Sequence, residues 1–299
     1  MFTKYTEYEH DVSRESATLA FSNDCDFGNW DTYCEVRSVF SELGLPFEDS
    51  FWLFDPGGSD FGLFKSSMKE KGPRHDELLE EIAAGRLAVL HGGANLDETP
   101  LAGPFREALA EGLTYLEEKA RVPKIWVNHG SENNRQNIGY NANTYHRGDT
   151  PGNDFYCLDL LTGHGVEFFW TDADYDNDHF CLSPVMLRAY ARDGREIYRF
   201  RRFRGSLPKA PDAQTLSWQL NEEHLCRLEN TGGGTVIYQH WHVHRTSDGS
   251  PHTALTPVFP KKTIQSLTVL AQKHQNSTIQ LLPLREMLLL NKELDVENH

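Results

Sequence analysis

The chain has 299 residues, 38% hydrophobic and 11% aromatic, which is enough for a sizeable buried core and too apolar for a disordered polypeptide. Lys and Arg total 29 against 44 scattered acids, a formal charge of −15 that disfavours nucleic acid and suits a neutral or amine-bearing small molecule or oligosaccharide. The stretch Met1–His10 lacks the apolar centre of a signal peptide, and no run reaches the ~18 apolar residues of a membrane span, so a cytoplasmic chain without a membrane span is expected.

The first apolar run, Ala17–Phe21, predicts a strand that ends at Asn23. Trp30–Leu43 follows at helical spacing and stops at Gly44, with Asp31 as its expected N-cap. Ser50–Phe54 reads as strand two, His75–Ala84 as a helix ended by Gly85, and Arg86–Leu90 as strand three. Pro104–Ala120 predicts a long helix and Lys124–Asn128 strand four. A polar stretch, 128–154, then exceeds the length of a plain connector. A short helix over Phe155–Gly163 leads to strand five, Val166–Trp170, and Arg195–Phe203 reads as a strand or hairpin within a second insertion, 172–212. Thr215–Leu228 is expected as one helix. The run Gly232–Gly234 feeds a strand over Thr235–Gln239, followed by a helix at Lys262–His274, a strand at Thr278–Leu282 and a helix at Pro283–Lys292. Strands alternating with helices indicate an α/β fold around a parallel sheet, here seven or eight βα units in a single (β/α) barrel domain, 1–299. Five cysteines, Cys25, Cys34, Cys157, Cys181 and Cys226, have no paired spacing and read as free thiols.

Polar groups gather at the carboxyl ends of the apolar runs: Asp24 and Asp26, His91, His129, Asp172, and the cluster His240-Trp241-His242. In a parallel α/β fold these ends share one rim. Two carboxylates as close as Asp24 and Asp26 repel unless a cation or a shared proton relieves them, and a divalent metal is the economical explanation. Mixed imidazole and carboxylate donors suit zinc, with nickel or cobalt as alternatives, so Asp26, His91 and His129 are the metal-ligand candidates. Asp24 is then available as a general base. His240, the first residue beyond its buried strand, is preferred over His242 as the acid, and His242 joins the substrate-contacting candidates.

The order of these pieces resembles the polysaccharide deacetylase superfamily. Phe21-Ser22-Asn23-Asp24-Cys25-Asp26 is similar to its T-F-D-D-G motif with one residue inserted between the acids. His91-Gly92-Gly93-Ala94-Asn95 is similar to its H-x-x-x-H motif, with Asn95 where the second histidine stands, and His129 at Val127-Asn128-His129-Gly130 is placed to supply that imidazole. Phe169-Trp170-Thr171-Asp172 and Val236-Ile237-Tyr238-Gln239-His240 match its later motifs. The resemblance implies a distorted barrel, a metal-dependent deacetylase of N-acylated sugars, Asp24 as base, Asp26 as metal ligand, His240 as acid, and Asp172 as the carboxylate orienting that histidine. Asn95, Asn133 and Asn134 are polar substrate-contacting candidates, since side-chain amides read hydroxyl and N-acetyl groups, and Arg147 is a further one that could pair with a substrate carboxylate or phosphate, with a structural ion pair to Asp149 as the alternative. Trp170, with Trp52 and Trp126, is a candidate stacking platform. Two alternatives remain: a glycoside hydrolase using a carboxylate pair such as Asp24 and Asp172, and a carbohydrate-binding barrel without catalysis.

Overall fold

Small, β-branched and aromatic residues make Ala17–Asn23 a strand, β1, that is buried along its whole length. Buried strands of this kind lie inside the molecule with helices covering them, and the chain repeats that alternation. The computed structural model describes residues 17–97, 99–130, 132–139, 145–171, 175–176, 180–181, 184–205, 210–245, 251–252 and 257–297. After β1 come α1 (Trp30–Glu42), β2 (Asp49–Phe54), β3 (Gly62–Phe64), α2 (His75–Ala84) and β4 (Leu87–His91). Next are α3 (Phe105–Lys119), β5 (Ile125–Val127), α4 (Leu158–Gly163), β6 (Phe168–Trp170) and β7 (Tyr175–Asp176). A hairpin of β8 (Met186–Tyr190) and β9 (Glu196–Phe200) precedes β10 (Arg202–Phe203), α5 (Leu216–Gln219) and α6 (Glu222–Thr231). The last elements are β11 (Gly234–Gln239), β12 (His244–Arg245), β13 (Pro251–His252), α7 (Lys261–Gln275), β14 (Ile279–Leu281) and α8 (Leu284–Glu297).

The strands form a five-stranded sheet, β14-β1-β11-β10-β7, and a seven-stranded sheet, β3-β2-β4-β5-β6-β9-β8. A short β12-β13 ribbon stands apart. Every pairing in the two large sheets is parallel except β8 with β9. Among the described residues no backbone ladder joins the two sheets into a closed barrel. They nevertheless share one core cluster, with Ala20 and Val236 from the first sheet packed with Val89, Ile125, Val127 and Phe168 from the second. Two further clusters lie under the surrounding helices.

Three local expectations are corrected. Asn29, not Asp31, caps α1: its side chain accepts from Thr32 N at 2.9 Å, and Asp31 sits inside the first turn. The helix expected over 215–228 is split, because Asn221 caps α6 by accepting from His224 N at 2.8 Å. Arg195–Phe203 divides between the second hairpin strand and β10, which returns to the first sheet beside β11. No helix among the described residues is long and apolar enough to cross a membrane.

Candidate metal centre

The end of β1 is held in place before any ligand is considered. Asp24 N extends the ladder to Gln239 O at 2.9 Å, and Cys25 N donates to Ser50 Oγ at 2.9 Å. Beneath this turn, buried Asp49 accepts from Asn23 Nδ2 at 2.7 Å, Ser50 N at 2.7 Å, Trp241 Nε1 at 3.2 Å and His242 Nε2 at 2.8 Å. The two turns that carry Asp24 and His240 are therefore tied to one carboxylate on β2.

Asp26 is the centre of the site. Its Oδ2 lies 2.8 Å from His91 Nε2 and 3.3 Å from His240 Nε2, and its Oδ1 lies 2.9 Å from His129 Nε2. Burial opposes ionisation of Asp26, but the charges of His91 and His129 outweigh it and hold the carboxyl well below its usual range. Burial likewise opposes protonation of His129, yet the adjoining Asp26 raises its pKa to about 9. Trp52 forms an apolar wall, its ring 4.4 Å from that of His91 and 4.7 Å from that of His129. Low polarity there strengthens each charge interaction.

Asp24 has a different partner. Arg202, fully buried, donates from Nη1 to Asp24 Oδ1 at 2.7 Å and from Nη2 to Oδ2 at 3.3 Å. Its guanidinium lies between the rings of Trp170 at 3.6 Å and Tyr238 at 3.9 Å. The same two oxygens approach the imidazoles, with Oδ2 at 4.0 Å from His240 Nε2 and Oδ1 at 3.9 Å from His91 Nδ1. His240 is oriented from behind by Pro211 O, 3.3 Å from its Nδ1, and the Tyr238 hydroxyl lies 3.4 Å from its Nε2.

Among the described residues two groups could hold a metal ion: Asp26, His91 and His129, and Asp24, Asp26 and His240, each with donor atoms within 4.8 Å of one another. His91 argues for a cation in the first. Its Nδ1 is buried with no hydrogen-bond partner among the described residues. If the ring proton is on Nε2, Nδ1 keeps an unsatisfied lone pair; if it is on Nδ1, the Nε2 lone pair meets a carboxylate oxygen at 2.8 Å. A second proton or a cation between His91 and Asp26 relieves the second conflict, leaving an Nδ1–H whose nearest carboxylate oxygen is Asp24 Oδ1 at 3.9 Å. The donor set fits zinc, nickel or cobalt. Asn134 sets one condition on uptake. Its Oδ1 accepts from Leu96 N at 3.1 Å, which aims Nδ2 at Asp97 Oδ1 and at His129 Nδ1, both at 2.8 Å. Both ring states keep a proton on Nε2, toward Asp26: the neutral ring accepts from Asn134 at Nδ1, the imidazolium formed below its pKa of about 9 requires that amide to turn, and a metal must displace the Nε2 proton.

The structure brings together Asp24, Asp26, His91, His129 and His240. Asp172 lies outside the described residues. Four substrate-contacting expectations are revised. His242 is fully buried against Asp49 and Thr32, away from Asp26, because the Trp241 turn reverses its direction. Trp170 is 2% exposed beneath Arg202, and Trp52 and Trp126 are equally enclosed, so all three are core rather than platforms. Asn134 is buried as a support for His129. Asn95 caps its own turn, accepting from Asp97 N at 3.4 Å. Asn133 remains exposed while donating to Asp97 O, and Arg147 donates to His146 O at 3.3 Å. Asp149, two residues beyond Arg147, binds Arg192.

The sequence reading missed Arg202, Tyr238, Asp97 and Asp49. Arg202 is separated from Asp24 by most of the chain, and only the return of β10 beside β11 brings it close. A buried-strand aromatic such as Tyr238 gave no cue beyond its position before His240. Cys25, one of the free thiols, is buried, and burial followed by the charge of Asp26 pushes its thiol well above the ordinary range. The chain matches no protein-family model and no curated protein sequence.

Proposed function

We propose that this chain is a metal-dependent hydrolase that removes an acyl group from an N-acylated sugar or polysaccharide precursor, on a distorted barrel of the polysaccharide deacetylase type. One observation carries the reading: the Asp26 carboxylate is bracketed by His91, His129 and His240, with Asp24 clamped alongside by Arg202. The order of motifs along the chain and the core shared by both sheets support the fold.

In this reading Asp26, His91 and His129 hold the ion, and Asp24 and His240 move protons. When bound, the ion supplies Lewis acidity, polarising the acyl carbonyl and lowering the pKa of a water. Asp24 would serve as the general base, accepting the proton that the attacking water gives up as its oxygen bonds to the acyl carbon. Arg202 fixes the Asp24 oxygens for this step and balances their charge in a buried setting. His240 Nε2 delivers a proton to the amide nitrogen as the C–N bond breaks, releasing an amine and a carboxylic acid. The bond from Pro211 O to the His240 ring keeps Nε2 turned toward the reacting groups.

Metal analysis combined with a deacetylation assay tests the assignment. The purified chain should take up close to one zinc or nickel, Asp26→Asn should lose it, and Asp24→Asn should keep the metal while losing about 10²–10⁴-fold in rate. A wild-type chain that stays metal-free under saturating zinc and nickel ends the proposal.

A further inference from the structure

Directly after Asp26 the backbone does something that the fold does not require. Cys25 O accepts from Gly28 N at 3.0 Å, closing a turn over Asp26 and Phe27, and Phe27 sits at φ +59°. The third position of such a turn favours glycine or asparagine, because a side chain with a Cβ is strained there. Among the described non-glycine residues only Ser277 shares this conformation. Phe27 is also 57% exposed, although it is a large aromatic, and it makes no ring contact with any other aromatic among the described residues.

Phe27 belongs to none of the hydrophobic core clusters among the described residues. A glycine would adopt the same φ without strain and without placing an apolar ring in water. The surroundings instead over-determine the turn. Cys25 N is fixed by Ser50, Trp30 N donates to Asp60 Oδ2 at 2.9 Å, and a Cβ on Gly28 would meet the Phe61 ring at 2.6 Å. Strain that persists in so firm a setting marks a residue kept for contact with something outside the fold. Phe27 directly follows Asp26, so the exposed ring and the carboxylate leave the chain from neighbouring Cα atoms ~3.8 Å apart.

We propose that Phe27 is a substrate-binding residue, its exposed ring stacking on the apolar face of the sugar whose acyl group faces Asp26. This rests on the hydrolase reading above and adds to it the kind of ligand surface recognised: a pyranose ring presenting axial C–H groups. The left-handed turn serves as a pedestal that aims the ring outward while the carboxylate beside it stays inward.

The test uses the full chain loaded with zinc, an array of N-acetylated hexosamine oligosaccharides, and titration calorimetry on the best binder. Phe27→Leu keeps the Cβ and its strain but removes the ring; Phe27→Trp keeps both. Expected affinities are within about threefold of wild type for Phe27→Trp and at least about tenfold weaker for Phe27→Leu. Phe27→Gly should weaken binding as much while melting at a higher temperature than wild type, since it releases the strained backbone. Wild-type affinity in Phe27→Leu overturns the inference and leaves the hydrolase intact. A wild-type chain that binds no sugar on the array refutes the carbohydrate reading itself, and the inference falls with it. Loss of self-association in Phe27→Leu by light scattering, with glycan binding unaltered, assigns the ring to a second copy of the chain and also overturns the proposal.

Discussion

His129 and Asp26 make opposite demands on pH depending on whether the site holds protons or metal. The folded pKa of His129 is about 9, above its ordinary value. Its ion pair with Asp26 therefore stabilises the metal-free protein fully below pH ~6.5 and is lost as pH rises through the folded value. Metal uptake has the reverse dependence, because the Nε2 proton must leave before the imidazole can ligate. Raising pH from ~6 to ~8 should lower the melting temperature of the metal-free chain and enlarge the increment produced by saturating nickel. A nickel increment that does not change with pH would show that no proton is displaced. Arg202 is the second residue with a decisive charge. Truncation to Met leaves Asp24 buried without its partner and should cost about 3–5 kcal/mol in urea unfolding. Asp24→Asn in the same chain should recover part of that loss, a coupling of about 1–3 kcal/mol. Strict additivity would mean that the fork at 2.7 and 3.3 Å contributes no net stability.

The elements show which parts of this arrangement the sequence could reveal. Hydrophobic period and end signals were sufficient for β1, β2, α2, β11 and α7, and the strand-end positions of Asp24, Asp26, His91, His129 and His240 followed from them. A residue at the carboxyl end of a parallel strand has its place fixed by the fold alone. The loop from Asn128 to Asp154 is different, because a loop amide reads the same whether it faces a ligand or its own backbone. Gln136 illustrates this. Its Oε1 accepts from Gly93 N and Ala94 N, both at 3.0 Å, and its Nε2 donates to Ala94 O. Asn128 and Asn137 likewise bind Ile138 and His129 backbone groups. Gln136 fastens the His129 loop to the turn after His91, and Asn128 and Asn137 close that loop on itself; all three are buried and are not a reading head for sugar. Gln136→Leu strands two buried N–H groups and should cost about 2–4 kcal/mol. Native-state hydrogen exchange should show Gly93 and Ala94 losing protection before β4 does. Unchanged exchange at those two amides would show that Gln136 does not fasten the loop.

At the scale of the whole molecule, the joint between the two sheets is made by side chains. β14 pairs with β1 only over Ala17–Leu19, so among the described residues the later half of β1 lacks a backbone partner on that flank. Asn23 and Cys25 reach β2 there through Asp49 and Ser50. Asp49 adds Trp241 and His242 from the turn after β11, so a single carboxylate collects donors from both sheets. The same clasp sits below Asp24 and His240, which makes the proton-moving pair dependent on how the sheets meet. Asp49→Ala removes the acceptor for four buried donors at once. Several stranded donors at ~1–3 kcal/mol each would unfold many domains, so the milder Asp49→Asn, which keeps one carbonyl oxygen, is the informative variant. It should lower the urea midpoint and accelerate exchange at the Asn23 and Asp24 amides while β5 and β6, deep in the seven-stranded sheet, remain protected to the global limit. Equal loss of protection everywhere would instead mean that the sheets unfold as one unit and that the shared core around Ala20, Val89 and Val236, not Asp49, governs their union.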